Sequence, residues 1–145
     1  LAIKTYDADD FERTLEGFLS SRSCSEASYI EMNNRRIATL KLEEQIDFKR
    51  LGKTHYLEVM EPRPEKVGKD IVGFDHIEIF THNLIGVEQI IRGHNIEYSN
   101  YVNPGHEAIV IVINEQGQEI KFTDNRLDLI VAAQLSRGEG TILKV

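Results

Sequence analysis

The stretch GFDHIEIFTHN, residues 73–83, decides how this chain is read. After Gly73, the residues Asp75, Ile77 and Ile79 alternate with His76, Glu78 and Phe80. A period of two is the periodicity of a β-strand. It predicts one aliphatic-rich face, carrying Asp75, Ile77 and Ile79, and one face carrying an imidazole and a carboxylate two residues apart. Such a face can present both groups to a ligand or a metal. It can equally be the wet side of a half-exposed strand. Thr81 and Asn83 end the alternation, and a helical pattern follows.

Downstream, Leu84, Val87, Ile90 and Ile91 recur at helical spacing, and Gly93 stands where a C-terminal cap belongs. Residues 98–104 read as a loop or short strand, and 107–113 as a buried β-branched strand. Glu115-Gln116-Gly117 turns the chain into QEIKF, residues 118–122, the last strand of this half. Asp124 is then expected to cap a helix carrying Leu127, Ile130, Val131 and Leu135, and Gly138 and Gly140 release an edge strand over 141–145.

Upstream, residues 1–6 (LAIKTY) alternate as a strand. Asp9 or Asp10 offers an N-cap for an amphipathic helix over about 10–21, with Phe11, Leu15, Phe18 and Leu19 on its apolar face. Residues 20–25 form a polar break holding Cys24, which reads as a structurally unimportant thiol. Strands at 29–32 and 36–42 flank Asn33-Asn34, a dipeptide that tolerates positive φ and fits a hairpin turn. Residues 42–53 are charged and read as irregular. A fourth strand, THYLEVM at 54–60, is stopped by Pro62 and Pro64. Residues 65–72 form a charged connector with Gly68, the natural linker between halves.

The order strand, helix, three strands thus occurs twice, and the residues repeat with it. Setting Leu1 against Ile77 aligns Phe11 with Val87, Leu15 with Ile91 and Gly17 with Gly93. At the far end, Leu57-Glu58-Val59 falls on Ile120-Lys121-Phe122. The second half is shorter, and residues 42–53 are the excess. An internal repeat sets the architecture. Two βαβββ units, each with one polar strand face, can put their helices outside and curl their sheets around a shared cleft.

The bulk properties exclude several classes. The 145 residues, 41% hydrophobic and 28% charged, suit one folded domain with a real core. A net charge of −7 without a basic cluster argues against nucleic-acid partners. The single Cys24 excludes an intrachain disulfide and suits a reducing, cytoplasmic compartment. No apolar run reaches membrane-spanning length and no signal-peptide pattern is visible, so no membrane partner is expected. The sequence opens at Leu1 inside a strand pattern and without an initiator methionine, which implies a missing N-terminal segment. There is no Gly-rich phosphate loop, nucleophile elbow or paired-cysteine zinc pattern.

The paired βαβββ order with a DHIEIF-type strand resembles the vicinal oxygen chelate superfamily of glyoxalase I, extradiol dioxygenases and bleomycin-resistance proteins. The match looks nearest to a bacterial branch, the YecM-like predicted metal-dependent proteins. It is carried by residues 34–42, 56–64, 73–80 and 117–122 and by the helix after them, so it covers essentially the whole chain. The resemblance implies an α+β fold. A single domain, 1–145, would hold a first module at 1–64, a second at 73–123, and a C-terminal helix and tail at 124–145.

The superfamily takes metal ligands from the first and fourth strands of each module. By resemblance these positions fall on Glu58 and His76, a carboxylate and an imidazole suited to a divalent metal such as Zn, Mn, Fe or Ni. The first-module histidine position falls one place before Leu1. The remaining position falls on Lys121, whose ammonium repels a cation. Glu78 shares a strand face with His76, and Glu119 shares one with Lys121; Tyr56 lies on the Glu58 face. The enzyme this implies binds two oxygens of a small substrate at a metal. Glu78 or Glu119 would be its general base, and Lys121 would hold an anion or form a structural ion pair. A non-catalytic small-molecule binder and a structural domain with a vestigial cleft are the alternatives, and the protein is expected to be a monomer or homodimer in each case. His55, His82 and His94 read as surface residues. His106, after Pro104-Gly105, reads as a surface loop residue that could line an entrance.

Overall fold

A computed structural model describes residues 1–69, 71–103 and 106–145. The repeated pattern builds two βαβββ units. The first comprises β1 (Ala2–Lys4), α1 (Ala8–Ser20), β2 (Cys24–Met32), β3 (Arg35–Asp47) and β4 (Lys53–Met60). The second comprises β5 (Gly73–Phe80), α2 (Leu84–Gly93), β6 (Ser99–Asn103), β7 (His106–Val112) and β8 (Glu119–Thr123). A third helix, α3 (Leu127–Ser136), leads to β9 (Gly140–Leu143). Among the described residues, the nine strands join one mixed sheet in the order β6-β7-β8-β5-β1-β4-β3-β2-β9. The class is α+β, as the sequence predicts.

The repeat is visible in the strand register. β1 runs parallel to β4 with Ala2 opposite Glu58, Ile3 opposite Val59 and Lys4 opposite Met60. β5 runs parallel to β8 with Glu78 opposite Lys121, Ile79 opposite Phe122 and Phe80 opposite Thr123. These are the same pairs under the correspondence read from sequence. The two units meet where β1 lies antiparallel to β5 at the middle of the sheet. Residues 1–6 therefore contribute a central strand, paired on both sides.

The helices α1 and α2 cover one face. In α1, Phe11 and Leu15 are buried against Ala27, Ala38, Leu40, Leu57 and Val59. In α2, Ile91 is the buried residue. The α1 N-cap is Asp7, whose Oδ1 accepts the Asp10 N–H at 2.8 Å. Asp9 and Asp10, expected as caps, stand in the first turn, where carboxylates favour the helix dipole. Asn33 and Asn34 have φ of 54° and 57° and form the two-residue β2–β3 turn, a geometry that matches strand twist.

Several local expectations differ. The polar break ends early: Cys24 opens β2 and is 2% exposed, packed in the α1 core as a small hydrophobe. Much of the charged 42–53 stretch is strand, because Ile46 and Asp47 pair with Thr54 and Lys53 beyond a register irregularity. Gly93 is the last residue of α2, and Asn95 takes the positive φ after it. Arg126, whose side chain makes no capping hydrogen bond, occupies the α3 N-cap position expected for Asp124. Among the described residues, no helix is long and apolar enough to cross a membrane.

Candidate metal centre

The face away from α1 and α2 carries the polar residues, and the strand registers align them. Glu119 of β8 lies opposite His76 of β5, and His76 opposite Ala2 of β1. Ala2 lies opposite Glu58 of β4, Glu58 opposite Thr39 of β3, and Thr39 opposite Ser28 of β2. Paired residues project to the same side of a sheet. One row thus crosses six strands as Glu119, His76, Ala2, Glu58, Thr39 and Ser28. Ala2, 0% exposed, is the small residue that lets the groups on either side converge over it. Glu78 and Lys121 form a second row two residues further along their strands.

Glu58, His76 and Glu78 each bring a ligand-type atom to within 4.8 Å of the others. His76 Nε2 is 3.7 Å from Glu58 Oε2. Its other nitrogen, Nδ1, is 2.7 Å from Asp75 Oδ2, and Asp75 Oδ1 is 2.7 Å from Lys4 Nζ. Strict alternation puts Asp75 on the aliphatic face. The structure puts it beside His76, because β5 is bulged there: Ala2 pairs with His76 but Ile3 pairs with Phe74, so Asp75 has no partner. A bulge re-aims a side chain by inserting one residue. Sequence reasoning missed Asp75 because alternation carries no signal for a bulge.

The electrostatics follow from these contacts. Burial disfavours the His76 cation, but the hydrogen bonds and charge of Asp75 and Glu58 outweigh it, and the pKa is raised despite the opposing charge of Lys121. Burial pushes the Asp75 carboxyl up, but His76 and Lys4 hold it far below the usual range. Asp75 is therefore an ionised acceptor that fixes the proton on Nδ1 and turns Nε2 toward Glu58. A histidine braced by a carboxylate on its far nitrogen is a common metal-ligand arrangement. One imidazole and two carboxylates, with His76 6% exposed, form a donor set that fits Zn, Mn, Fe or Ni.

Lys121 Nζ lies 3.4 Å from Glu119 Oε2, so this pair flanks the cluster on the β8 side. A cavity of about 130 Å³ covers the cluster, lined by Glu58, His76, Glu78 and Lys121 from the sheet and by Leu127 and Ile130 of α3. Nothing in the sequence announces that α3 lies across this face. Tyr56 shares the Glu58 face but lines neighbouring cavities. The other histidines lie apart: His55 Nδ1 is 3.0 Å from the Leu42 carbonyl, His82 meets the Phe80 ring edge-on, and His94 caps α2. His106 opens β7, while Pro104-Gly105 and the entrance read for the His106 side chain lie outside the described residues.

No protein-family model and no curated protein matches the sequence. Solved structures do. A structural-genomics protein, EC4020, matches with a TM-score of 0.70 at 20% identity, over 92% of this chain and 74% of its own. A hypothetical protein of Bacillus halodurans C-125 matches with a TM-score of 0.61 at 14% identity, over 86% of this chain and 91% of its own. A variant of Streptomyces coelicolor methylmalonyl-CoA epimerase in complex with 2-nitronate-propionyl-CoA matches with a TM-score of 0.56 at 17% identity, over 84% of this chain and 91% of its own. The epimerase is a vicinal oxygen chelate protein, and the likeness to it is one of fold. The chain has the vicinal oxygen chelate fold.

Proposed function

We propose that the protein is a metal-dependent enzyme of the vicinal oxygen chelate type acting on a small oxygen-bearing substrate. The observation that carries this reading is the convergence of Glu58, His76 and Glu78 within 4.8 Å, with Asp75 bracing His76 from behind. Glu58 and His76 serve as ligands. Glu78, which its position in sequence also suits to a base, is placed to be the third. A divalent metal held there would supply a Lewis acid for two substrate oxygens and for negative charge developing on them.

The remaining roles belong to the chain. Glu119 is the carboxylate left for proton transfer. Its partner Lys121, 3.4 Å away, offers an ammonium to an anionic substrate. The α3 residues over the cluster exclude water, which strengthens each of these interactions.

Lys121 also repels a cation, so metal titration tests the assignment directly. Calorimetry with manganese and zinc should show one site per chain, lost in His76→Ala. Lys121→Glu should bind metal more tightly, by at least tenfold, and Lys121→Met by less, because methionine removes the competing charge without adding a donor. A parent that binds neither metal would sink the reading. A Lys121→Glu variant no tighter than the parent would remove Lys121 from the ligand position.

A further inference from the structure

Next to the cluster, a cavity of about 430 Å³ lies between α3, β9 and the sheet. Its walls include Ala27, Val131, Leu135 and Leu143, and its floor carries Ser28 and Thr39. Thr39 and Val131 also line the smaller cavity over the metal donors, so the two spaces adjoin. Ser28 is 7% exposed and Thr39 9%, and they are cross-strand partners. Among the described residues, neither hydroxyl takes part in a side-chain hydrogen bond. Two hydroxyls without partners in the chain, side by side and reached from the cavity, are a device for holding a polar atom.

Resting on the metal-centre reading above, we infer that the substrate carries an extended, mainly apolar arm with one hydrogen-bonding group, and that this second cavity holds the arm. The row Glu58, Thr39, Ser28 sets the reach. Ser28 stands two strands from Glu58, about 10 Å at ordinary strand spacing. A substrate whose vicinal oxygens sit at Glu58, His76 and Glu78 lays its arm along this row. Thr39 and Ser28 donate to a carbonyl or similar acceptor in the arm, and Val131 and Leu135 cover its methylenes. The substrate class is therefore a medium-length acyl or keto compound rather than a three-carbon metabolite.

The test uses the full chain loaded with manganese and a set of bidentate oxygen chelators that differ in their arms. Acetohydroxamate, butanohydroxamate, hexanohydroxamate and octanohydroxamate are titrated by calorimetry, together with an octanohydroxamate analogue bearing an amide in mid-arm. Kd should fall roughly fourfold for each added methylene, as expected for apolar area leaving water. The amide analogue should bind the parent about fivefold more tightly than it binds the Ser28→Ala/Thr39→Val double variant. Leu135→Trp, which narrows the cavity, should flatten the dependence on arm length. If that variant does not fold, the conservative double variant still decides through the amide preference. Manganese binding with affinity independent of arm length overturns this inference and leaves the metal-centre reading standing. Failure to bind manganese or zinc at all overturns both.

Discussion

Asp75 shows how much one residue settles. Its carboxylate joins Lys4 to His76 and holds the imidazole so that Nε2 faces Glu58. Replacing it with asparagine keeps the size but removes the charge and lets the ring turn. Asp75→Asn should weaken zinc or manganese binding by about 10- to 100-fold, in line with other losses of a carboxylate behind a ligand histidine. Calorimetry on both forms measures this. A structural role alone would lower the melting temperature and leave the affinity of the folded fraction unchanged, which would refute the bracing role.

At the scale of elements, Arg36 ties three of them together. Its guanidinium donates to Glu61, just beyond β4, through Nε at 3.1 Å and Nη2 at 3.2 Å. It also pairs with Glu12 of α1 and lies 4.6 Å over the Phe11 ring. The Glu61 side chain is 17% exposed, so the pair is only partly screened. Burial pushes the Glu61 carboxyl up, but the Arg36 side-chain and backbone hydrogen bonds and its charge bring it below the ordinary range. A depressed folded pKa contributes stability above the unfolded pKa, and that stability is lost as pH falls through the folded value. Glu61→Gln should therefore destabilise the neutral-pH protein by about 1–3 kcal/mol. The deficit should shrink on acidification below the ordinary glutamate pKa, as read by urea melts at a series of pH values. A deficit that does not change with pH would show that the charge contributes nothing.

At the scale of the molecule, the candidate centre spans the seam between the repeats. Glu58 comes from the first unit and His76 and Glu78 from the second, on either side of Ala2. A ligand held by both units binds the folded chain and not the unfolded one. Metal at 100 times its Kd should add about 2.7 kcal/mol of stability. Ala2→Leu puts a larger side chain into a fully buried position between His76 and Glu58. It should cost about 1–3 kcal/mol through overpacking and remove most of the metal-induced rise in melting temperature. Scanning calorimetry with and without manganese checks both. An unchanged rise in Ala2→Leu would place the metal elsewhere.

The sequence by itself determined the α+β class, the duplicated order of elements and the faces of the strands. These follow from periods of two and 3.6 and from turn residues such as Asn33-Asn34, all local properties of the chain. Because a strand's faces are fixed once its register is, the repeat also placed His76, Glu78, Glu119 and Lys121 on one side of the sheet. Tertiary structure alone decided what lies next to what. The bulge at Asp75, the passage of α3 over the polar row, and the joining of β9 to β2 depend on pairings between residues far apart in the chain. No local period encodes those pairings. They are settled when the whole sheet satisfies its backbone hydrogen bonds and buries its apolar face together.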